Sequence, residues 1–386
     1  MASVAITLER SSEAAVLVEA RPGEPCPLLL DWRDLGAAEV AEWRNLARAT
    51  SEPNPFFEDW YLLPALKAHD TSHEVRLFVL EREGRWLGVM PVVKRNRYYG
   101  KPIPHLAGWM HANCFLGAPL VAKGHERAFW QALLRWADRS PGRALFLHLA
   151  QIPLQGELFG ALRQLGRTGG IVQSEERALL ASDLTPEAYL EASMTGKKRK
   201  ELRRQANRLS KLGELTFERR DDDEGVEAWA KGFLELEKAG WKGKAGSALA
   251  CSPATETLFQ QALAGGAKAG RLERLALYLD GQPIAMLANF LTAPGAFSYK
   301  TAFDEGFARF SPGVLLQREN LTLLERAGIE WCDSCAAADH PMIDHIWRER
   351  RAVGAVSIAI GGPLRRAFFR PLLKAELGRR PDGARL

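Results

Sequence analysis

Ser311, Pro312 and Gly313 stand where an apolar strand pattern, Phe297–Asp304, gives way to a helix pattern. Leu316, Leu323, Leu324 and Ala327 recur at i, i+7, i+8 and i+11, one face of a helix. Proline suits a first helical turn because it has no N–H to leave unpaired, and glycine admits a close approach to the backbone. Free N–H groups at the positive end of a helix dipole make a seat for a pyrophosphate. Arg309, Ser311, Gly313 and Val314 are therefore the candidate cradle residues. An ordinary strand–turn–helix connection uses the same residue types.

Other constellations were weighed against better-known chemistries. Cys332 and Cys335 with His340 and His345 suggest a zinc set, but the common finger separates its cysteine and histidine pairs by a longer run, so no metal is expected. Gly240–Ser247 nearly matches a phosphate-binding P-loop. Its glycine spacing is off by one and no lysine precedes Ser247, which argues against ATP. Asp304 can cap the turn before Glu305 and Gly306, or act as a base at the mouth of its strand.

The elements that must position these residues follow from patterning. Two apolar runs, Val75–Glu81 and Trp86–Lys94, flank a turn at 82–85; a strand Cys114–Val121, a helix His125–Asp138 and a strand Ala144–Leu149 follow. Farther on, Leu275–Leu279 and Pro283–Leu291 flank Asp280-Gly281, and then come strand Ala296–Phe303, helix Gly313–Ala327 and strand Ile329–Asp333. Each half runs hairpin, strand, helix, strand, without a sequence repeat. Such alternation predicts an α/β fold of mixed sheets covered by helices. At 386 residues two domains are expected, 1–185 and 186–386.

Charge and composition narrow the function classes. The net charge of +5 is mild, but one predicted helix from Pro186 to Leu212 gathers Lys197, Lys200, Arg204, Arg208 and Lys211 in a stripe, opposite Leu202, Ala206, Leu209 and Leu212. The stripe suits a solvated face, phosphates, an anionic membrane or a nucleic acid. The last is disfavoured, because no aromatic residue from Thr195 to Leu215 offers a stacking platform. The C-terminal segment alternates Leu364, Phe368, Phe369, Leu372, Leu373 and Leu377 with Arg365, Arg366, Arg370, Lys374, Arg379 and Arg380. It fits either an anionic bilayer surface or docking on its own domain, with Pro371 expected to kink a helix. Five cysteines without regular spacing suit a reducing compartment, and Met1–Arg10 has no secretory pattern. The uncharged runs at 102–122 and 281–299 carry prolines and read as buried strands, so a cytoplasmic protein, peripheral at most on the inner face of the membrane, is expected.

Gly240-Trp241-Lys242-Gly243, Tyr299-Lys300, Ser311-Pro312-Gly313 and Trp331–Cys335, in this order behind a basic helix, resemble the GNAT acyltransferase superfamily. The branch is similar to the CelD/BioF2-like acyltransferases, relatives of Fem-type peptidyltransferases. The resemblance covers about 190–360 well. It reaches 50–180 more loosely, through Pro55-Phe56, Trp60, Pro91 and Gly117–Leu120. It implies two tandem GNAT-type domains, the second seating an acyl-CoA (acetyl-CoA or a long-chain acyl-CoA) and the first shaping an acceptor cleft without cofactor. The implied reaction acylates an amine or hydroxyl of a lipid or cell-envelope acceptor, a sphingoid base among the candidates. Polysaccharide acetylation, an aminoacyl transfer from tRNA and a catalytically silent accessory role stay open, although no coiled-coil arm of the Fem type is visible. Such a reaction needs a base. His340, Asp304 and Asp333 are the candidates, and His340 is favoured because an imidazole titrates near neutrality. Trp241, Lys242, Tyr299 and Lys300, with His111 and Asn113 in the first domain, are the expected substrate contacts.

Overall fold

The computed structural model describes residues 15–16, 23–338, 340, 342–378 and 384–386. Met1–Arg10, read above for a signal, lies outside them, as do Arg379 and Arg380 of the basic tail. The chain forms two compact units that interleave along the sequence. One comprises 1–59, 72–174 and 354–386; the other comprises 60–71 and 175–353. A single cut near 185 is replaced by exchanged segments: a short stretch of the N-terminal half joins the second unit, and the C-terminal tail joins the first.

In the first unit Cys26–Leu30, Arg76–Arg82, Arg85–Arg95 and His105–Gly108 pair antiparallel in that order, and His105–Gly108 then pairs parallel with Phe146–Pro153. Glu83 and Gly84 turn the hairpin at φ of 53° and 82°, the left-handed pair that matches strand twist. Helix Glu126–Arg139 buries Phe129, Trp130, Leu133 and Leu134. A Cβ at Gly88 would lie 2.3 Å from the Phe129 ring, so glycine sets how closely the helix meets the sheet.

The expected strand Cys114–Val121 is a correction. Only Leu120–Val121 joins a ladder, and the strand entering the parallel pair is His105–Gly108, which its preceding prolines masked. The buried amide of Asn54 donates to the carbonyls of Leu116 and Ala118 at 3.1 and 2.7 Å, so this segment satisfies its backbone without pairing. The C-terminal helix Pro363–Leu377 runs through Pro371 and docks through Phe369, which stacks on Phe146 at 5.1 Å.

The second unit includes β1 (Leu215–Arg220), β2 (Leu272–Leu279), β3 (Gln282–Thr292), β4 (Gly295–Phe303) and β5 (Trp331–Asp333), beside the 175–180 and 349–353 parts of two longer strands. They lie in sequence order, antiparallel except β4 and β5, and Cys332 and Asp333 pair with Leu180 and Leu179. Its helices are α1 (Asp59–His69, in this unit from Trp60), α2 (Pro186–Ser193), α3 (Gly196–Leu209), α4 (Val226–Ala239), α5 (Trp241–Lys244), α6 (Pro253–Lys268) and α7 (Pro312–Asn320).

The predicted single helix 186–212 is two, because Thr195 caps a new start by accepting from the Lys198 N–H. Leu212 falls beyond the second helix and is exposed rather than buried. On one sheet face Leu275, Leu277, Leu287 and Leu291 join Leu202 and Leu209 of α3 and Leu315 and Leu316 of α7 in one core. The other face is aromatic. Phe290 stacks on Tyr299 at 4.5 Å, and Trp60 of α1 meets Phe290 edge-on at 4.9 Å. Gly265 and Gly266 of α6 leave room for Trp60, which would lie 3.1 and 3.2 Å from added Cβ atoms.

Buried titratable groups give the first unit a pH signature. The His148 Nδ1 lies 3.1 Å from the Ser357 hydroxyl, and burial, reinforced by His105, lowers its pKa from 6.5 to about 4. A folded-state pKa below the unfolded one means that the unfolded chain binds the extra proton first. Stability should therefore fall as pH drops from about 6.5 towards about 4. Urea midpoints measured across this window should decline, and His148→Gln should flatten the slope; an unchanged slope would assign the acid lability to other groups.

Candidate functional site

The parallel pair β4–β5 is short for a reason. Its register covers only Gly295–Phe297 against Trp331–Asp333, after which β4 continues to Phe303 while the other chain leaves the sheet. Asp333 fixes this exit. Its carboxylate is fully buried, accepts the Cys335 N–H at 2.8 Å and the Arg351 guanidinium at 3.1 Å, and lies 3.9 Å from Arg177. Ser334 then donates its N–H to Ala178, holding the departing chain against the neighbouring strand.

Across the gap, β4 is bulged: Ser298 pairs with Asn289 and Lys300 with Ala288, so Tyr299 is the extra residue. The Tyr299 ring is buried and its hydroxyl lies 3.2 Å from that of Tyr61. Lys300 follows directly, its amine 5.7 Å from the Tyr299 ring centre. Burial lowers the Lys300 pKa to about 8; the charge of Lys242 adds to that, while Glu237 and Cys335 pull the other way. Cys335 is itself a buried thiol whose pKa burial and Asp333 push well up, as burial also does for Cys332.

The segment Gly240–Ser247 supplies the third side. Glu237, at the end of α4, is buried and accepts from the Lys242 amine and from the Leu249 N–H, each at 2.8 Å. A Cβ at Gly243 would lie 1.7 Å from the Lys238 carbonyl, so only glycine permits this tight α4–α5 turn. Glu305, after β4, accepts the Trp241 N–H and pairs with Lys244 at 3.2 Å. The indole of Trp241 itself is exposed.

The three base candidates differ in their surroundings. Asp304 accepts the Gly306 N–H at 2.7 Å and caps the 3-10 turn Glu305–Phe310. Asp333 is engaged by two arginines and a backbone N–H. His340 is different: its Nδ1 is buried with no hydrogen-bond partner among the described residues. Burial lowers its pKa, the charge of Lys242 adds to this, and Asp344 opposes it.

Around the α7 start, Ser311 adopts the left-handed region at φ 52°, and its carbonyl accepts from Val314 and Leu315 at 2.9 and 3.0 Å. Gly313 is buried, and the side where a Cβ would stand faces Met342 (2.6 Å) and Phe303 (3.5 Å). A Cβ there would require the Met342 side chain to move. Val314 lines a cavity of about 170 Å³ with Met194, Lys198, Leu202, Met342 and Ile346. Arg309 is exposed, its guanidinium 4.7 Å from the Phe310 ring centre.

The charge of Lys242 acts on both Lys300 and His340, and Cys335 interacts with both Lys300 and Asp333. His111 and Asn113 belong to the other unit, where the Asn113 N–H meets His111 Nδ1 at 3.4 Å. Sequence reading missed Glu237, Arg177, Arg351 and Tyr61. Arg177 had a signal, a cation after Glu175 and Glu176 at the edge of the apolar run Ala178–Leu180; Tyr61 had none.

Residues 196–341 match the model of the acetyltransferase (GNAT) domain family. No curated protein matches the chain. Among solved structures the chain is similar to FemX, with a TM-score of 0.55 and 12% identity over 87% of this chain and 98% of that one. A conserved protein of unknown function from Bacteroides thetaiotaomicron gives a TM-score of 0.54 at 11% identity, covering 84% and 98% of the two chains. The C-terminal domain of a putative lysylphosphatidylglycerol synthetase from Agrobacterium fabrum gives 0.50 at 14% identity, covering 86% and 97%. At such identities the likeness is one of fold.

The shared electrostatics can be tested directly. Lys242 lowers the pKa of both Lys300 and His340, so Lys242→Met should raise both. Glu237→Gln should move Lys300 below about 8, because the lost carboxylate favoured its charged form. NMR titration of methyl-labelled lysines and of the histidine ring reads both shifts. Values indifferent to either substitution would mean that these groups do not share a site.

Proposed function

We propose that the protein, whose residues 196–341 match the acetyltransferase (GNAT) domain model, moves an acyl group from an acyl-CoA, acetyl or long-chain, to the amine of a lipid or cell-envelope acceptor. A hydroxyl is the alternative nucleophile, and a sphingoid base is one candidate acceptor. The observation that carries this reading is the β4–β5 ladder that ends at Phe297, three residues before Lys300, whose titration shares the neighbour Lys242 with that of His340. The second unit, which contains residues 196–341, carries the donor site in this reading.

The chemistry requires a polarised thioester carbonyl, a neutral amine and a proton acceptor. Beyond Phe297 the β4 edge leaves its ladder with β5, and its backbone N–H groups serve the carbonyl oxygen. The donor's phosphates take the α7 start at Ser311–Val314, with Lys198 at the adjoining cavity. Lys242 and Lys300 act on the acceptor before bond formation: two nearby positive charges disfavour an ammonium, so the amine enters as the free base. Its nitrogen bonds to the carbonyl carbon, the C–S bond breaks, and the nitrogen's proton passes to His340 Nδ1. The sulfur leaves as thiolate and takes up a proton. Asp304 and Asp333 are the weaker candidates for base, since one caps a turn and the other is held by arginines.

A lipid acceptor is in keeping with the fold's occurrence in a putative lysylphosphatidylglycerol synthetase. The C-terminal helix also leaves Leu364 and Phe368 exposed beside Arg370 and Lys374, a face suited to an anionic bilayer. No described helix is long and apolar enough to cross a membrane.

Purified protein incubated with acyl-CoA and a sphingoid base should form the amide, detected by mass spectrometry. His340→Ala should keep CoA affinity in calorimetry and lose turnover by roughly 10²–10⁴-fold. With the His340 pKa depressed, the wild-type rate should stay flat on acidification to below 6.5 before falling. A loss under tenfold, with Asp304→Asn or Asp333→Asn far worse, would reassign the base. Failure to bind any acyl-CoA would favour an accessory protein that retains the fold.

A further inference from the structure

Helix α3 breaks local rules that no part of its own fold compensates. Over 197–211 the helix and the turn after it carry eight lysines and arginines against one acid, Glu201. Lys197 and Lys198 occupy its first turn, where the dipole disfavours positive charge, and Lys200, Arg204 and Arg208 repeat at i+4 with like sign. Only two of the eight are relieved among the described ion pairs, Arg199 by Glu191 and Arg204 by Glu201. Leu202 and Leu209 anchor the opposite side in the core. The exposed side is concave, a groove of about 370 Å³ lined by Lys200, Arg203, Arg204, Asn207, Arg208 and Lys211. A sequence that tolerates this self-repulsion, with nothing gained in packing, indicates a partner of opposite charge.

The position of the groove says what kind of partner. Lys198 of the same helix and Val314 of the α7 first turn line one cavity, and Gln205 donates to the Arg309 carbonyl at 3.4 Å. The groove and the proposed phosphate seat thus lie on two sides of one helix, a body about 10–12 Å across that a long flexible arm can round. We propose that α3 docks an acidic carrier protein that presents the acyl thioester on a phosphopantetheine arm, the arm entering past Lys198 and Val314. This rests on the thioester reading of the preceding section and identifies the donor's protein form. The chemical step is unchanged: the acceptor nitrogen gains the acyl group, and the freed thiol stays on the carrier.

Two other polyanions fit the surface less well. A bilayer is held by apolar residues as well as charge, and the leucines of α3 point inward. A single-stranded nucleic acid is held by stacking, and the helix bears no aromatic residue. An acidic helix laid along the groove needs only charge and shape.

The test uses the full chain and a purified bacterial acyl carrier protein in its palmitoyl form. Fluorescence anisotropy should detect binding that weakens steeply between low and moderate salt, as screening predicts. A Lys200→Glu, Arg204→Glu, Arg208→Glu variant should weaken it by at least about 30-fold, and the milder triple Gln variant by less. Both should keep turnover of palmitoyl-CoA within about twofold, because they lie outside the phosphate seat. Carrier binding that is absent, or unchanged in the triple Glu variant, overturns the proposal. So does selective loss of binding to phosphatidylglycerol vesicles or to tRNA in that variant with carrier binding intact. If carrier binding follows the stripe while neither thioester is turned over, docking stands and the acyl-transfer reading falls.

Discussion

A single carboxylate, that of Asp333, sets where the sheet opens. It is buried without access to water, at a cost that only paired charges and hydrogen bonds can offset. Arg177 and Arg351 meet it from two strands and the Cys335 N–H from the turn that follows. The Arg351 guanidinium also lies 4.6 Å from the Trp331 ring centre, so the arginine is fixed by stacking as well as by charge. With Asp333 held in this way, β5 has to end after three residues and the chain has to turn outward. The opening beside β4 is the consequence.

On the opposite lip the bulge at Tyr299 does the complementary work. One extra residue re-aims the side chains that follow it, so that Lys300 joins the charges of Lys242 and Glu237. The aromatic layer beneath, Phe290, Tyr299 and the two rings of α1, is what keeps the bulge from relaxing. Depressed pKa values at Lys300 and His340 then follow from two causes, burial and the shared neighbour Lys242. Groups that lose charge readily near neutral pH are the ones a proton-transfer step needs.

A second buried charge steadies the far side of the same unit. Glu273 is inaccessible to solvent and accepts from Arg219, Arg326 and Asn289, each at 2.8 Å; Asn289 in turn donates to Asn320 at the end of α7. This network ties the helix that begins at the candidate cradle to the middle of the sheet. The cradle and the β4–β5 opening are thereby fixed to one scaffold, which is what a donor spanning both would require.

Much was legible from the chain alone. Hairpin turns at Glu83-Gly84 and Asp280-Gly281, the apolar runs around them and the Ser311-Pro312-Gly313 helix start are set by local sterics, which act within a few residues. The mixed sheets, the helix order and the resemblance to acyltransferases followed from them. Other features depended on distant partners. Residues 114–119 stay out of the sheet because the Asn54 amide satisfies the carbonyls of Leu116 and Ala118; Thr195 divides a helix whose periodicity ran through it; Gly313 packs against Met342, a residue the local pattern could not reveal. Residues 60–71 and 354–386 belong to a different unit from the residues beside them in sequence. Periodicity reports which face of a segment is apolar but not what covers it. The ion pairs of Asp333 and Glu237, and the shifted titrations around Lys300, exist only once burial and long-range pairing have brought those groups together.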